Sequence, residues 1–426
     1  MRANRTHISN EKNYHGVVCM PTRLSPIVAV SLLAACGGGG GGSEVERVLD
    51  ELSETSWHQS AAVADMTGDG VPDIVTVSHI WETDEAYLNV FVQQPGGSFG
   101  PKIEVPLGRG TTRRVEDVIV GDIDLDGLAD VVVAHLGRTT AGVIPGREIS
   151  VLLKSGMGAS DFSLYQSYDV ADNPFRLAMA DLDIDGLPDL AVAADGGVFV
   201  LLQDGSNPGE FLNARRIDDG RARDLAIGDV NQDGLPDVLA AGGFGVHLLV
   251  NEISELGTFS LGGSWATPTW PSDMTMSDLN GDGRLDFAIG LSESDNFDHA
   301  GIAFRLQDPL LDGEFGAETQ IDFLEVRTLG SLDSQDLNGD GRADLVAGVS
   351  NGPEGVSVAV QAASHSGFGD PILYHSSQDS GPWMAIIGQL GPDLRHDVVL
   401  AHSLNGVFVH FGEGVGTFQN AVMIGE

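Results

Sequence analysis

A nine-residue stretch decides the fold of this protein: residues 278–286 read DLNGDGRLD. Side chains with oxygen atoms stand at its first, third, fifth and ninth positions, and a glycine follows the fifth. Oxygen ligands on alternate residues allow one tight loop to surround a hard cation, and the glycine lets the backbone turn without a steric penalty. The stretch therefore predicts a cation-binding turn between two other elements.

The same pattern returns along the chain at intervals of 48 to 59 residues. Complete copies begin at Asp65, Asp122, Asp181, Asp229, Asp278 and Asp336, and a decayed copy begins at Gln389. A repeat of this length indicates one supersecondary unit that buries its faces only by stacking on its neighbours. The 426 residues therefore predict one repeat domain, although length alone suggests two or three domains.

Each unit shows the pattern of four short strands. An alternating segment precedes each loop, as at residues 60–64 before the first loop. An apolar run follows each loop, as at residues 130–134 after the second loop. A third apolar segment follows, for example at residues 198–202, and a glycine-rich turn with a phenylalanine opens a fourth. These phenylalanines are Phe99, Phe162, Phe211, Phe259, Phe315, Phe368 and Phe418. We predict an all-β fold over residues 57–426, a seven-bladed β-propeller of four-stranded antiparallel blades with calcium-binding loops.

The arrangement of the blades follows from the residues before the loops. They are small in all units but one: Ala64, Gly121, Ala180, Gly228, Ser277 and Gly388, with Gln335 as the exception. Crowding near the axis of a ring requires small residues, so we predict that the first strand of every unit lines the central channel. Each copy is a whole blade, which leaves no strand to exchange between the ends of the chain unless residues 44–56 supply one.

The loops have the ligand chemistry of calcium. The predicted ligands are Asp65, Thr67, Asp69 and Asp73; Asp122, Asp124, Asp126 and Asp130; Asp181, Asp183, Asp185 and Asp189; Asp229, Asn231, Asp233 and Asp237; Asp278, Asn280, Asp282 and Asp286; and Asp336, Asn338, Asp340 and Asp344. Thr67 is a poorer ligand, so the first loop should bind more weakly. In the second loop, the carbonyl of Leu128 should add a further oxygen. We predict about six structural calcium ions, with none in the decayed copy.

Two other readings of the loops are less favourable. An EF-hand needs a bidentate glutamate at its twelfth position, where these loops have Thr76, Val133, Val192, Ala240, Ile289 and Ala347. Magnesium demands compact octahedral geometry and usually keeps its waters, whereas four or more protein oxygens suit calcium.

The loop copies and the glycine-phenylalanine segments together resemble a known family of repeats. The copies beginning at Asp278 and Asp336, with the Gly-x-Phe-Gly segments at residues 97–100 and 313–316 and the related segment at 367–369, are similar to FG-GAP or VCBS repeats. That family includes the integrin α-subunit propeller. The resemblance covers residues 57–426 and implies a calcium-binding propeller. Members include adhesion modules, propeller lectins, and accessory domains of hydrolases and lyases, so it leaves the function open.

The N-terminal segment predicts an envelope lipoprotein. Residues 1–35 contain an apolar stretch too short to span a bilayer as a mature helix, and they end before Cys36 in a sequence that resembles a lipobox. The true start could be Met20. Residues 36–56 join the lipidated Cys36 to the propeller through a glycine tether at 37–42 and a short helix or strand. Gly37 after the cysteine favours the outer membrane, facing the periplasm or the cell surface.

The charge restricts the partners. The formal net charge of −40 would repel phosphate backbones, so nucleic acid is excluded as a partner. Both cysteines precede the repeats, which rules out a disulfide framework.

The leading functional hypothesis is a non-catalytic binding or adhesion module for a glycan or a protein. Tryptophan faces stack well on sugar rings, so Trp81, Trp265, Trp270 and Trp383 are candidate ligand contacts, although they could instead fill gaps between blades. The second hypothesis is a polysaccharide lyase or hydrolase, but the histidines are scattered and most loop carboxylates have a metal-binding role. The third hypothesis is an accessory subunit of an envelope complex.

Overall fold

The computed structural model describes the chain from residue 56 onward, in the ranges 56–80, 85–109, 114–136, 146–243, 245–291, 300–323, 328–350, 355–360, 362–364, 367–369, 371–377, 382–391, 393, 395–402 and 406–424. The predicted signal segment, Cys36 and the tether lie outside these residues. Residues Ser56–Glu426 form one compact unit. The described part contains no helix long and apolar enough to cross a membrane.

Six sheets of the compact unit are each built from four strands that follow one another in the chain. They are β1 (Ser56–Ala64), β2 (Asp73–Ile80), β3 (Glu85–Phe91) and β4 (Ile103–Arg109); β5 (Arg114–Gly121), β6 (Asp130–Leu136), β7 (Glu148–Lys154) and β8 (Phe162–Asp169); β9 (Pro174–Ala180), β10 (Asp189–Ala194), β11 (Gly197–Leu201) and β12 (Arg215–Asp218); β13 (Asp224–Gly228), β14 (Asp237–Gly242), β15 (Gly245–Asn251) and β16 (Phe259–Ala266); β17 (Pro271–Ser277), β18 (Asp286–Leu291), β19 (Ala300–Arg305) and β20 (Thr319–Phe323); and β27 (Pro382–Gly388), β28 (Asp397–His402), β29 (Gly406–His410) and β30 (Val422–Ile424).

One further sheet has a different design. It contains β21 (Thr328–Gln335), β22 (Asp344–Ser350), β23 (Gly355–Val360) and β26 (Ile372–Ser377). The two-stranded hairpin of β24 (Ala362–Ser364) and β25 (Gly367–Phe368) interrupts it before its outer strand. The prediction of seven blades of one four-stranded design is therefore wrong: six have that design. The inserted hairpin gives the Gly-Phe segment a pairing of its own, in which Ala362 opposes Phe368.

The phenylalanines occupy a different place from the predicted one in most units. Phe162 and Phe259 do begin outer strands. Elsewhere the phenylalanine forms an isolated bridge ahead of the outer strand, as in the pairs Gln93–Phe99, Gln203–Phe211, Gln307–Phe315 and Gly412–Phe418. The bridge closes the turn after the third strand, so the phenylalanine fixes the turn and does not start the strand.

The sheets pack side by side around an axis. Successive first strands contact one another, in the order β1, β5, β9, β13, β17, β21 and β27, and β27 contacts β1. This confirms the prediction that the first strands lie innermost. Both end sheets are complete with their own strands, so the ring closes by packing, without an exchanged strand among the described residues.

The apolar core lies between neighbouring sheets. The second strands are buried on both faces; every residue of β10 and β18, for example, is buried, and their runs of Leu, Val, Ile, Ala and Phe are typical of such strands. The cluster that joins the last sheet to the first contains Ala61, Ile74, Val399 and Val407. Burial of this cluster stabilises the closed ring.

Candidate metal loops and ligand pocket

The connections of the propeller divide between two faces. Because successive strands run antiparallel, the loops between first and second strands lie on the same face as the turns between third and fourth strands. We call this the metal-loop face. The opposite face has the turns between second and third strands and the connections from each sheet to the next. We call it the pocket face.

The first aspartate of each loop organises the backbone. In the first loop the Asp65 carboxylate accepts hydrogen bonds from the N–H groups of Gly68 at 2.6 Å and Gly70 at 2.7 Å, with longer ones from Thr67 and Asp69. Burial raises the pKa of Asp65, but these N–H donors outweigh that effect and hold it below its usual value. The glycine at the sixth position makes the same bond in the five other complete loops.

Carboxylates converge most clearly in the second and third loops. Asp122, Asp124 and Asp130 each offer an oxygen within 4.8 Å of the others, and Asp181, Asp183 and Asp189 do the same. Burial raises the pKa of Asp130 to about 6 and that of Asp189 to about 7. Carboxylates placed so closely repel one another unless a cation lies between them. This geometry and donor set fit a calcium ion.

The last aspartate of each loop also has a structural role. Asp189 accepts hydrogen bonds from the N–H of Leu182 at 2.8 Å and the N–H of Gln203 at 2.7 Å, and so joins the loop to the end of the third strand. The equivalent bonds are made by Asp73, Asp130, Asp237 and Asp286. Asp397 of the decayed copy keeps both bonds, to Leu390 and Gly412 at 2.8 Å. This aspartate therefore holds the loop independently of a metal.

Neighbouring loops are joined by buried amides that the sequence analysis missed. The Nε2 group of Gln203 donates to the carbonyl of Ile123 in the preceding sheet at 3.1 Å and to that of Pro188 in its own loop at 2.8 Å. Its Oε1 atom accepts the N–H of Gly209. Asn251 and Gln307 make the same pair of donor contacts. A glutamine or asparagine at the end of the third strand, or within two residues of it, is the feature of the sequence that could have predicted these contacts.

The innermost strands bring together a second set of polar residues that was also missed. The residue five positions before each loop is Ser60, Asp117, Arg176, Asp224, Asp273, Ser331 or Met384. A β-bulge precedes this position in several first strands, as between Val115 and Asp117 or Leu329 and Ser331, and bulges re-aim side chains. These residues come from different sheets. Ser60 bonds to Asp117, and Arg176 contacts Asp117, Asp224, Asp273 and the sulfur of Met384, whereas Ser331 bonds the backbone of Ala385.

Arg176 is the cation of this axial cluster. Its Nε lies 2.8 Å from Asp224, its Nη2 lies 2.7 Å from Asp273, and its Nη1 lies 3.6 Å from Asp117. Burial alone would lower the pKa of Arg176, but the three carboxylates raise it well above its usual value. Burial raises the pKa of Asp117 and, much further, that of Asp273. One arginine thus connects four sheets.

A pocket of about 420 Å³ opens on the pocket face between the second and third sheets. Its lining combines the ring of Phe199 with charged side chains of both signs: Arg147, Asp172, Asp195 and Arg216. Arg147 pairs with Asp172 at 2.6 Å, and Asp195 accepts bonds from Arg221 at 2.6 Å and Asn173 at 2.7 Å. Phe199 and Arg216 are cross-strand partners. Among the described residues Arg216 has no ion pair, so its donors can reach a ligand.

The structure describes the side chains of two of the four predicted tryptophans, Trp265 and Trp270. Trp81 lies outside the described residues, and Trp383 lies in β27. Trp265 is half-buried and packs on Phe315 with ring centroids 4.9 Å apart, which is the gap-filling role. Trp270 is 39% exposed on the pocket face, and the Arg221 guanidinium lies 4.6 Å from its ring centroid. Trp270 thus contacts Arg221, a pocket-face residue that binds Asp195.

Comparison with known proteins agrees with the fold. A family model described as FG-GAP-like repeat matches residues 181–240, 229–289 and 278–347, which confirms FG-GAP repeats in this part of the chain. No curated protein matches the sequence.

Several solved structures are similar. One is an Agrocybe aegerita lectin that recognises non-reducing terminal N-acetylglucosamine, with 20% identity, coverage of 75% of this chain and 80% of that chain, and a TM-score of 0.48. Sqt1 from Chaetomium thermophilum has 13% identity, coverage of 87% and 89%, and a TM-score of 0.47. The Dos1 propeller has 9% identity, coverage of 87% and 81%, and a TM-score of 0.50; this likeness supports the propeller fold alone.

Proposed function

The chain carries FG-GAP-like repeats on a β-propeller, and from this premise we propose that it is a non-catalytic, calcium-binding module that binds a glycan. The observation that carries the proposal is the pocket between the second and third sheets. It is a concave site with one aromatic ring and a few charged groups, which is the usual composition of a small-ligand site.

The pocket chemistry favours a sugar over a protein side chain. Sugar hydroxyl groups both donate and accept hydrogen bonds, so they can use arginine donors and carboxylate acceptors in the same site. Arg147, Asp172, Asp195 and Arg216 supply both kinds of group, and Phe199 offers a face for an apolar side of the ring. A protein ligand is the second candidate.

Calcium would be structural in this proposal. Each complete loop supplies three or four carboxylates, and ion binding would remove their mutual repulsion. Buried amides such as Gln203 join adjacent loops, so an ion in one loop would also stabilise the next. We place the ions on the metal-loop face, away from the proposed ligand pocket.

A catalytic role is less favoured. Buried carboxylates of the described residues have structural partners: the last aspartates bind backbone N–H groups, and the axial aspartates bind Arg176. A polysaccharide lyase or hydrolase would need an acid and base pair held in a cleft. In the remaining alternative, an accessory subunit of an envelope complex, the propeller would bind a protein and not a sugar.

We also propose display on the cell envelope by a lipid on Cys36, because this cysteine stands directly before a flexible glycine tether. Labelling with a radioactive fatty acid tests this directly. We expect the label to disappear in Cys36→Ala, and label that remains in this variant would contradict the assignment.

A glycan array probed in the presence of calcium tests the ligand. We expect reproducible binding to one sugar class, lost in Phe199→Ala and Arg216→Ala. Arg215→Ala is the matched control, because this exposed arginine is adjacent in β12 but does not line the pocket. A blank array, or binding that survives both pocket substitutions, would contradict glycan binding in this pocket.

A further inference from the structure

Three successive connections between sheets each contribute a charged or aromatic side chain to the pocket face. Asp172 lies between β8 and β9, Arg221 lies between β12 and β13, and Trp270 lies between β16 and β17. The innermost strands contact one another in chain order around the axis, so these connections follow one another around the ring. A ligand longer than one sugar could therefore contact more than one of them.

A series of direct contacts, which we call the polar track, leads from the pocket to Trp270. Arg147 pairs with Asp172 at 2.6 Å, and the backbone N–H of Asp195 donates to the carbonyl of Asp172 at 3.1 Å. The Asp195 carboxylate accepts the Nε–H of Arg221 at 2.6 Å. The Cζ atom of Arg221 lies 4.6 Å from the centroid of the Trp270 ring. Each member thus contacts the next, from the second sheet to the connection before the fifth.

Trp270 lies beyond the wall of the pocket. Asp195 lines the pocket, whereas Arg221 and Trp270 do not. The Arg221 guanidinium contacts both the Asp195 carboxylate and the Trp270 ring, so it lies between the pocket wall and the indole. A single sugar held against Phe199 therefore does not cover Trp270, and contact with Trp270 requires a further sugar unit.

The Trp270 ring is held in place but remains accessible. Arg221 lies over one face of the ring, and 39% of the residue stays exposed. The turn before it is fixed, because the buried Thr267 hydroxyl donates to the carbonyl of Thr269 at 2.8 Å. A side chain that is already ordered loses little conformational freedom on binding. Trp270 is therefore a prepared stacking surface, unlike Trp265, which packs on Phe315.

The charges of the polar track favour a ligand without net charge. Arg147 is balanced by Asp172, and Arg221 is balanced by Asp195. The formal net charge of −40 repels anionic polymers from the chain as a whole. Hydroxyl groups can accept hydrogen bonds from the arginines and donate to the carboxylates. A neutral, polyhydroxylated chain therefore matches the polar track better than an acidic one.

We propose that the ligand of the pocket face is a neutral, linear polysaccharide, with one sugar unit in the pocket against Phe199 and a later unit stacked on Trp270. This inference rests on the proposed glycan binding, to which it adds the length and the charge class of the ligand. Trp270 is then the residue that distinguishes a polysaccharide from a single sugar, and Arg221 positions its ring.

Calorimetric titration with sugars of graded length tests the inference. The probes are the cello-, xylo-, manno- and chito-oligosaccharides, from monosaccharide to hexasaccharide, added to the full chain in calcium. We expect one series in which the hexasaccharide binds about tenfold more tightly than the monosaccharide, as an added aromatic stacking contact would produce. Trp270→Ala should lower this ratio of affinities about tenfold, and Trp270→Phe, which keeps an aromatic face, should retain part of it.

Two further variants show which part of the site each sugar uses. Phe199→Ala should weaken the monosaccharide and the hexasaccharide together, because both use the pocket. Leu261→Ala is the matched control for Trp270→Ala, because it removes an apolar side chain that is 63% exposed on β16, outside the polar track. We expect the ratio of affinities to stay unchanged in this control.

The outcomes separate this inference from glycan binding itself. A hexasaccharide that binds no more tightly than its monosaccharide would overturn the inference and leave glycan binding intact. A length effect that survives Trp270→Ala, or tighter binding of oligogalacturonates than of every neutral series, would do the same. Loss of monosaccharide binding in both Trp270 variants would show that this residue serves the fold. If no series binds, the inference fails, and a blank glycan array beside it would overturn the proposed function as well.

Discussion

The Nη2 atom of Arg176 lies 2.7 Å from Oδ2 of Asp273, although the two residues are 97 positions apart in the chain. The same guanidinium contacts Asp224 and Asp117, so one side chain connects the second, third, fourth and fifth sheets near the axis. Asp117 also accepts the Ser60 hydroxyl at 2.7 Å, which extends the connection to the first sheet. These contacts make the axis a polar junction between sheets.

Loss of Arg176 should destabilise the propeller strongly. Arg176→Met would leave buried carboxylates without their cation, and breaking a buried pair in this way costs about 3–5 kcal/mol. We expect a drop of that size in the free energy of unfolding by urea. Adding Asp224→Asn and Asp273→Asn should restore part of it, because the uncompensated charges are removed. A stable Arg176→Met single variant would contradict this role.

Calcium should stabilise the whole propeller. A site with a dissociation constant of about 0.1 mM would contribute about 1.4 kcal/mol at about 1 mM calcium. Six such sites would contribute about as much as the total stability of an ordinary domain. We expect a large fall in melting temperature with EGTA, and about six ions per chain by mass spectrometry. An unchanged melt, or fewer than four ions, would show that the loops are only turns.

Substitution of two different aspartates should distinguish the metal-binding role of the loops from their hydrogen-bonded closure. Asp397→Asn in the decayed copy weakens acceptors for the N–H groups of Leu390 and Gly412, so we expect about 1–3 kcal/mol lower stability with or without calcium. Asp124→Asn in the second loop should instead lower calcium affinity and have little effect in EGTA. Melts of both variants under both conditions check this. If calcium changed the loss of stability equally in both variants, the two aspartates would not have the different roles assigned to them.

The buried carboxylates predict opposite effects of pH with and without calcium. Burial raises the folded-state pKa of Asp189 and Asp286 to about 7, above the ordinary value of 3.8. In EGTA their contribution to stability is fully present below pH 3.8 and is lost as pH rises through about 7. Calcium binds the ionised form, so its stabilising effect should grow over the same range.

Thermal melts from pH 5 to 8 measure both trends, and Asp189→Asn should reduce each of them. Arg215→Ala, on an exposed position of β12, serves as a control that should leave the pH dependence unchanged. A calcium effect that is constant from pH 5 to 8 would contradict proton release from these carboxylates.

Removal of one amide should weaken two loops. Gln203→Ala would leave the carbonyls of Ile123 and Pro188 and the N–H of Gly209 without this partner. Each unsatisfied buried polar group lowers the free energy of unfolding by about 1–3 kcal/mol, and by less if a water molecule replaces the lost partner. We expect calcium affinity to fall in both the second and third loops. Calorimetric titration would reveal this, and a loss confined to the third loop would contradict coupling through Gln203.

The sequence by itself determined the repeat unit. The nine-residue loops, the bonds from the Asp65 carboxylate to nearby N–H groups and the apolar strands on either side all depend on residues close together in the chain. Small residues before the loops likewise predicted that the first strands lie innermost. Where a unit departs from the repeat the prediction failed: nothing in the local pattern of residues 355–377 distinguished the inserted hairpin from an outer strand.

The tertiary structure decided which distant side chains meet. Arg176 and Asp273, or Gln203 and Ile123, which are 80 positions apart, are joined only when the sheets close into a ring. The ring also forms the pocket at Phe199, where residues of two sheets meet, and places Trp265 on Phe315 instead of on a ligand. A local pattern fixes the backbone of each unit through short-range hydrogen bonds and alternating burial, whereas the contacts between units depend on the packing angle and order of the sheets around the axis.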